Sequence, residues 1–248
     1  MDTPTALVTG ASRGLGAVIA RRLAEDGWPV AVNYHASAAA AEAVVAGIRS
    51  AGGRAAAYRA DVTDEGSVRA MVTAVEDELG PLQVVVANAT GPQPSVPVEE
   101  LTWQHHLDQL RFFVLSPTLL VQAALPGMRR LGGGRVIQIG SDIVDRALPH
   151  VSAYTAAKAA QMGLTRSWSR ELGRWGITVN LVAPGWIPVE RHAGADTRNY
   201  QTAVPLGRMG TPNDVAELVA YLASERASFV TGQQISVNGG HTLGSALR

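Results

Sequence analysis

The chain has 248 residues, 46% of them hydrophobic, enough for one sizeable core in a single α/β domain or in two small ones. Its 21 basic and 21 acidic residues balance to a formal charge of +0, so no charge excess points to nucleic acid or to an anionic membrane. With 0 Cys there is no disulfide framework, no thiol nucleophile and no cysteine metal site, and the 6 His show no metal-ligand spacing.

The N-terminus runs directly into an apolar strand pattern. No basic segment followed by a long apolar run precedes it, and no apolar run approaches the ~20 residues of a membrane span, so a cytoplasmic protein is expected. Residues 5–9 form a short apolar run with β-branched members, a buried strand, and the glycine-rich turn 10–16 follows it. A helix is predicted over 18–26, closed by Gly27, then a strand over 29–33 and a helix over 38–50. A third strand covers 55–59. Asp64 is the expected N-cap of a helix running to Leu79, with Gly80 and Pro81 as its stop, and 82–87 is the fourth strand.

The stretch 88–97 carries Gly91, Pro92, Pro94 and Pro97 and reads as a loop. Residues 99–131 are helical, with Pro117 expected to kink or break them. A fifth strand over 135–140 leads to a helix over 151–174 and a sixth strand over 177–182. The segment 183–206 is long and irregular, and its part 186–205 is a candidate lid over a site. Thr211 and Pro212 open a helix running to about Ser224, and 234–237 is the last strand. Apolar strands thus alternate with helices from end to end. That predicts one domain over 1–248, an α/β, Rossmann-type doubly wound parallel sheet of about seven strands.

Between the first strand and the first helix lie Gly10, Ser12, Arg13, Gly14, Leu15 and Gly16. Glycines there let backbone approach a pyrophosphate, and the helix N-terminus offers free N–H groups. An acidic residue after the second strand would favour NAD. This chain has Asn33, Tyr34, His35, Ala36 and Ser37 instead, and Arg13 is placed to pair with a 2′-phosphate, so NADP(H) is expected, with His35 and Ser37 adding contacts.

Tyr154 and Lys158 are four apart, one turn apart on one helical face. A lysine ammonium beside a phenol favours the phenolate, so the tyrosine becomes able to exchange a proton near neutral pH. Ser141 precedes this helix by one loop, so its hydroxyl is a candidate to bind the same reacting oxygen. Taken alone, the pair is better read as a solvated helix face; the rest of the chain decides between the two.

In this order the segments 9–16, 60–62, 87–89, 180–185, 229–233 and 237–240, with Ser141 and 154–158, resemble the short-chain dehydrogenase/reductase family over nearly the whole chain. The resemblance implies that Tyr154 is the general acid in reduction and the base in oxidation. Lys158 would tune it and hold the nicotinamide ribose, and Ser141 would bind the substrate oxygen. Asp61 and Val62 would flank the adenine. Asn88, Ala89 and Gly91 would line the ribose side, and Pro184, Gly185 and Ile187 would position the nicotinamide. It also implies a small-molecule carbonyl or alcohol substrate and assembly as a homotetramer or dimer; the apolar positions Leu115, Leu119, Leu120, Met162 and Leu164 suit such an interface and suit core packing equally.

Three positions depart from the family pattern. Thr90 stands inside the usual Asn-Ala-Gly run. The family often has a proton-relay asparagine that counting from Trp103 places near Leu110, beside Gln109, and this chain has no Asn between Asn88 and Asn180. Pro188 replaces a threonine that commonly binds the carboxamide. Gln93, Ile143, His150, Trp186, Val189 and His192 are candidates for the substrate pocket. The reading is an NADPH-dependent reductase of a ketone, reversible. The alternative is a catalytically weak NADP(H)-binding sensor or partner module.

Overall fold

Seven short strands pair side by side; the central ones are buried on both faces and must find their hydrogen bonds in their neighbours. The structure, a computed structural model, describes residues 3–190, 194 and 196–242. The strands are β1 (Thr5–Val8), β2 (Val30–Tyr34), β3 (Ala55–Arg59), β4 (Leu82–Ala87), β5 (Gly134–Ile139), β6 (Ile177–Pro184) and β7 (Gln234–Val237). All pair in parallel in the order β3-β2-β1-β4-β5-β6-β7. The predicted sheet of about seven strands in one α/β domain is the one observed.

Successive side chains leave a strand on opposite faces. Ala6 and Val8 therefore join the core under α1 (Gly14–Glu25), α2 (Ala38–Ser50) and α9 (Pro212–Ala223), while Leu7 joins the core under α3 (Glu65–Leu79), α5 (Ser116–Arg130) and α7 (Ser152–Leu172). Short helices α4 (Trp103–Leu110), α6 (Ile143–Arg146) and α8 (Arg198–Ala203) fill the connections. The expected caps form: the Asp64 carboxylate accepts from Ser67 N–H at 2.7 Å, and Thr211 with Asp214 makes a reciprocal capping box.

Two elements differ from the sequence expectation. Helix α1 starts at Gly14, four residues before Val18, because the glycines that look like turn residues form its first turn. The stretch 103–130 is not broken at Pro117. Pro117 lies in the first turn of α5, where its missing N–H costs least, and the irregularity sits just before it as a π-helical turn, Arg111–Leu115, in which Ser116 N–H donates to Arg111 C=O. By length and composition this continuous stretch, Trp103–Arg130, is long and apolar enough to cross a membrane, contrary to the expectation that no segment is; in this fold α5 packs on β4 and α3. Leu119 and Leu120 are core residues here, buried against the sheet, and so are not available to an interface, whereas Leu115 is 40% exposed.

The chain reaches the sheet edge at β3, then returns to the far side of β1 as β4. The connections leaving the carboxyl ends of β1 and β4 therefore run to opposite faces of the sheet, and the crevice between them is where open α/β sheets bind ligands.

Candidate active site

A cleft of about 1600 Å³ opens along the carboxyl ends of the strands. Every catalytic and cofactor candidate chosen from the sequence lines it: Gly10, Ser12, Arg13, Gly14, Leu15, Gly16, His35, Ser37, Asp61, Val62, Asn88, Ala89, Gly91, Ser141, Tyr154, Lys158, Pro184, Gly185 and Ile187.

One end of the cleft begins at the turn after β1. Gly10 has φ +61 and its missing Cβ would stand 2.9 Å from Ala89 Cα; a Cβ on Gly16 would meet Gly10 O at 2.5 Å. No side chain fits at either position, so backbone N–H groups at the start of α1 face the cleft. Arg13 is exposed and extended; its carbonyl accepts from Ala17 N–H at 3.3 Å, and its side chain makes no hydrogen bond or ion pair among the described residues. The turn after β2 presents no carboxylate. This surface fits a dinucleotide with an anionic group near Arg13.

Two residues that sequence reasoning passed over hold this end together. Asn33 is buried; its side-chain carbonyl accepts from Gly10 N–H at 3.1 Å and its amide donates to Ala60 O at 3.2 Å. Thr9 is fully buried, and its Oγ1 donates to Val86 O at 3.2 Å while accepting from the N–H groups of Asn88 at 2.9 Å and Ala89 at 3.0 Å. Asn88 replies by donating its side-chain amide to Thr9 O at 2.8 Å. In sequence Thr9 looks like one more β-branched strand residue. Thr9→Val keeps the shape but leaves two buried N–H groups without an acceptor, so unfolding in urea should show a loss of about 2 kcal/mol.

Asp61 does not point freely into the cleft. Burial alone would raise its pKa, but hydrogen bonds from Thr63 N–H and Oγ1, both 2.8 Å, prevail and hold it below the usual carboxylate range.

At the other end, Ser141 follows β5 and its Oγ accepts from Ile143 N–H at 3.1 Å, which leaves its own proton free to donate. Tyr154 and Lys158 lie on α7 as the spacing predicted. Lys158 is only 4% exposed, and its Nζ donates to Ile139 O at 2.7 Å. Burial pulls its pKa well below the ordinary lysine value. Phe113, from the π-helical turn, faces it: Nζ stands 3.8 Å from that ring's centroid and 5.7 Å from the Tyr154 ring's. The position facing Lys158 is thus Phe113 and not Leu110, which does not line the cleft; Gln109 turns away to donate to Pro92 O at 2.8 Å.

Beyond Ser141 the substrate end holds Asp142, Arg146, Trp186, Tyr200 and His241. Asp142 is almost fully buried; desolvation raises its pKa against the pull of Arg146, Asn238 and His241. Tyr200 Oη accepts from Trp186 N–H at 2.8 Å, its ring meets Trp186 edge-on, and Arg146 lies 5.1 Å over its face. Among the pocket candidates Gln93, Trp186 and Val189 line the cleft. Ile143 is buried outside it, and His150 lines a separate small hollow with Pro94 and Gln109, because a left-handed turn at φ +64 carries it away. His192 lies outside the described residues.

A parallel α/β sheet with a glycine cradle at one end of its crevice and Ser141, Tyr154 and Lys158 at the other defines an oxidoreductase that works on a bound dinucleotide. A family model described as enoyl-(acyl carrier protein) reductase, of the short-chain alcohol dehydrogenase type, matches residues 10–242. The chain belongs to the short-chain dehydrogenase/reductase family. It is 42% identical over 243 residues to 3-oxoacyl-(acyl-carrier-protein) reductase FabG of Staphylococcus aureus, covering 96% of this chain and 98% of that one. It is 40% identical over 240 residues to cis-4-hydroxycyclohexanecarboxylate dehydrogenase of Sinomonas cyclohexanicum, covering 96% of each. Among solved structures, a blue fluorescent protein from a metagenomic library in complex with NADPH superposes with a TM-score of 0.89 at 38% identity, covering 97% of this chain and 98% of that one.

Proposed function

We propose that this chain is an NADPH-dependent reductase that converts a ketone to an alcohol, reversibly. The observation that carries the reading is the meeting of Ser141, Tyr154 and Lys158 in the same cleft as the glycine cradle. The nicotinamide supplies the hydride. Ser141 donates its free proton to the substrate oxygen and orients the carbonyl. Tyr154 Oη gives that oxygen its proton in reduction and takes it back in oxidation. Lys158, charged, favours the phenolate left behind and binds the nicotinamide ribose. Gly10, Ser12, Gly14, Leu15 and Gly16 hold the pyrophosphate, Arg13 with His35 and Ser37 the 2′-phosphate, and Asp61 and Val62 the adenine. Asn88, Ala89 and Gly91 line the ribose side, and Pro184, Gly185 and Ile187 seat the nicotinamide. Pro188, lacking both hydroxyl and N–H, leaves the carboxamide to other donors.

The segment 186–205 serves as the substrate lid, its described part pinned to the cleft through Trp186 and Tyr200. A cytoplasmic homo-oligomer, dimer or tetramer, completes the reading; Leu115, Met162 and Leu164 retain exposed or half-buried apolar surface. The comparison with the NADPH complex and with FabG supports NADPH and the reductive direction.

The test is turnover of a panel of ketones and quinones with NADPH and with NADH. Tight NADPH binding without turnover on any member would favour the sensor reading instead. Arg13→Ala should weaken NADPH by about tenfold to a hundredfold, the worth of charge-assisted hydrogen bonds to a phosphate, and leave NADH nearly untouched. Equal losses for both dinucleotides would show that Arg13 does not read the 2′-phosphate.

A further inference from the structure

Lys158 is a cation held where cations are disfavoured. Among the described residues no carboxylate pairs with it, and burial pulls its pKa well below the ordinary lysine value. The acid that follows β5, Asp142, belongs to a separate cluster with Arg146 and His241. The polar side chains next along β5 and α7 are committed elsewhere: Gln138 Nε2 donates to Thr165 Oγ1 at 2.9 Å, and Gln161 Nε2 to Gln138 Oε1 at 3.4 Å. The groups packed against the ammonium are the Ile139 carbonyl from β5, the Tyr154 ring from its own helix, and the face of Phe113.

The Phe113 ring does two things at once. Its face lies 3.8 Å from Nζ, and it meets the Tyr154 ring at 5.4 Å and 73°, an edge-to-face pair. Phe113 is 2% exposed, so this arrangement is fixed by packing and sheltered from water. The negative face of an aromatic quadrupole attracts a cation most strongly when both are desolvated. The ring comes from the middle of the π-helical turn Arg111–Leu115, which packs on α7.

We propose that Phe113 is a positioning residue of the acid–base site: its ring face keeps the Lys158 ammonium charged and seated between the Ile139 carbonyl and Tyr154. The inference rests on the proposed role of Lys158 in holding the dinucleotide. A buried lysine stays protonated only below its depressed pKa. Dinucleotide affinity that depends on its charge is therefore present at low pH and lost as pH rises through that value. Phe113 favours the charged form and so moves the loss to higher pH.

The experiment is NADPH titration by fluorescence between pH 6 and pH 10 (roughly the range in which a depressed lysine titrates) on the wild-type chain, Phe113→Leu and Phe113→Tyr. Removing the ring face in Phe113→Leu should move the high-pH loss of affinity about one unit toward acid, the size of a desolvated cation–π contact. Phe113→Tyr keeps the face and should follow the wild type. Thermal melting checks folding, and if Phe113→Leu does not fold, Phe113→Met fills similar space without a ring and makes the same comparison. A loss of affinity at the same pH in the ringless variant overturns the role of Phe113 alone. A wild-type chain that binds no dinucleotide at any pH overturns both this inference and the proposed function.

Discussion

Tyr154→Phe should lower turnover about a thousandfold with NADPH affinity close to wild type. The phenylalanine keeps the ring that packs edge-on against Phe113 and removes only the hydroxyl, so the helix and the seat of Lys158 survive. Reduction needs a proton at the substrate oxygen as well as the hydride. Ser141 orients that oxygen but has no lysine beside it to stabilise its conjugate base, so it does not replace the tyrosine. Steady-state rates on a ketone from the panel, with a parallel NADPH titration, measure the two effects separately. Full activity in the variant would remove Tyr154 from the chemistry.

The second large effect is expected at the other end of the cleft. In Gly16→Val the first added carbon stands 2.5 Å from Gly10 O and 2.6 Å from the Asn88 side-chain nitrogen. Neither is the far end of a flexible chain: one is backbone, and the other is bound to Thr9 O. The turn must open, and the N–H groups that face the pyrophosphate lose their aim. Dinucleotide affinity should fall more than a hundredfold, with a stability loss of about 1–3 kcal/mol from overpacking. Gly163→Ala is the control. That glycine lies exposed on α7, and an added Cβ meets nothing within 4 Å. It should leave affinity unchanged and raise stability by up to about 1 kcal/mol. Isothermal titration and thermal unfolding of the two variants make the comparison.

What the sequence made legible was whatever depends on local spacing. The glycine turn between a strand and a helix, the four-residue step from Tyr154 to Lys158, and the alternation of strands and helices are each contained in one short stretch. The sheet order adds only the rule that crossovers are right-handed. The facing of Phe113 and Lys158 was not legible, because it depends on the phase of a helix across a π-helical turn. Counting along the family pattern from Trp103 leads to Leu110, whereas in the fold Phe113, from the π-helical turn, faces the ammonium. Asn33 shows a second limit: in sequence it is one of several non-acidic residues at the end of β2, and only the fold turns its side chain inward to brace Gly10 and Ala60. His150 was placed by its position in a loop, and a single left-handed residue takes it to another hollow.

The Thr9 hydroxyl has a thermodynamic consequence. It sits at the crossing of β1 and β4 and bonds the loop that begins the adenosine end to the loop that begins the nicotinamide end. The two halves of the cleft are therefore not separate binding sites joined by a flexible ligand. A fragment that shifts residues 10–16 on binding should therefore shift residues 88 and 89 with them, and by reciprocity a fragment at either half should change the affinity of the other by the same factor. That coupling should shrink when the shared hydroxyl is replaced by a methyl group, leaving only the bond from the Asn88 side chain to Thr9 O.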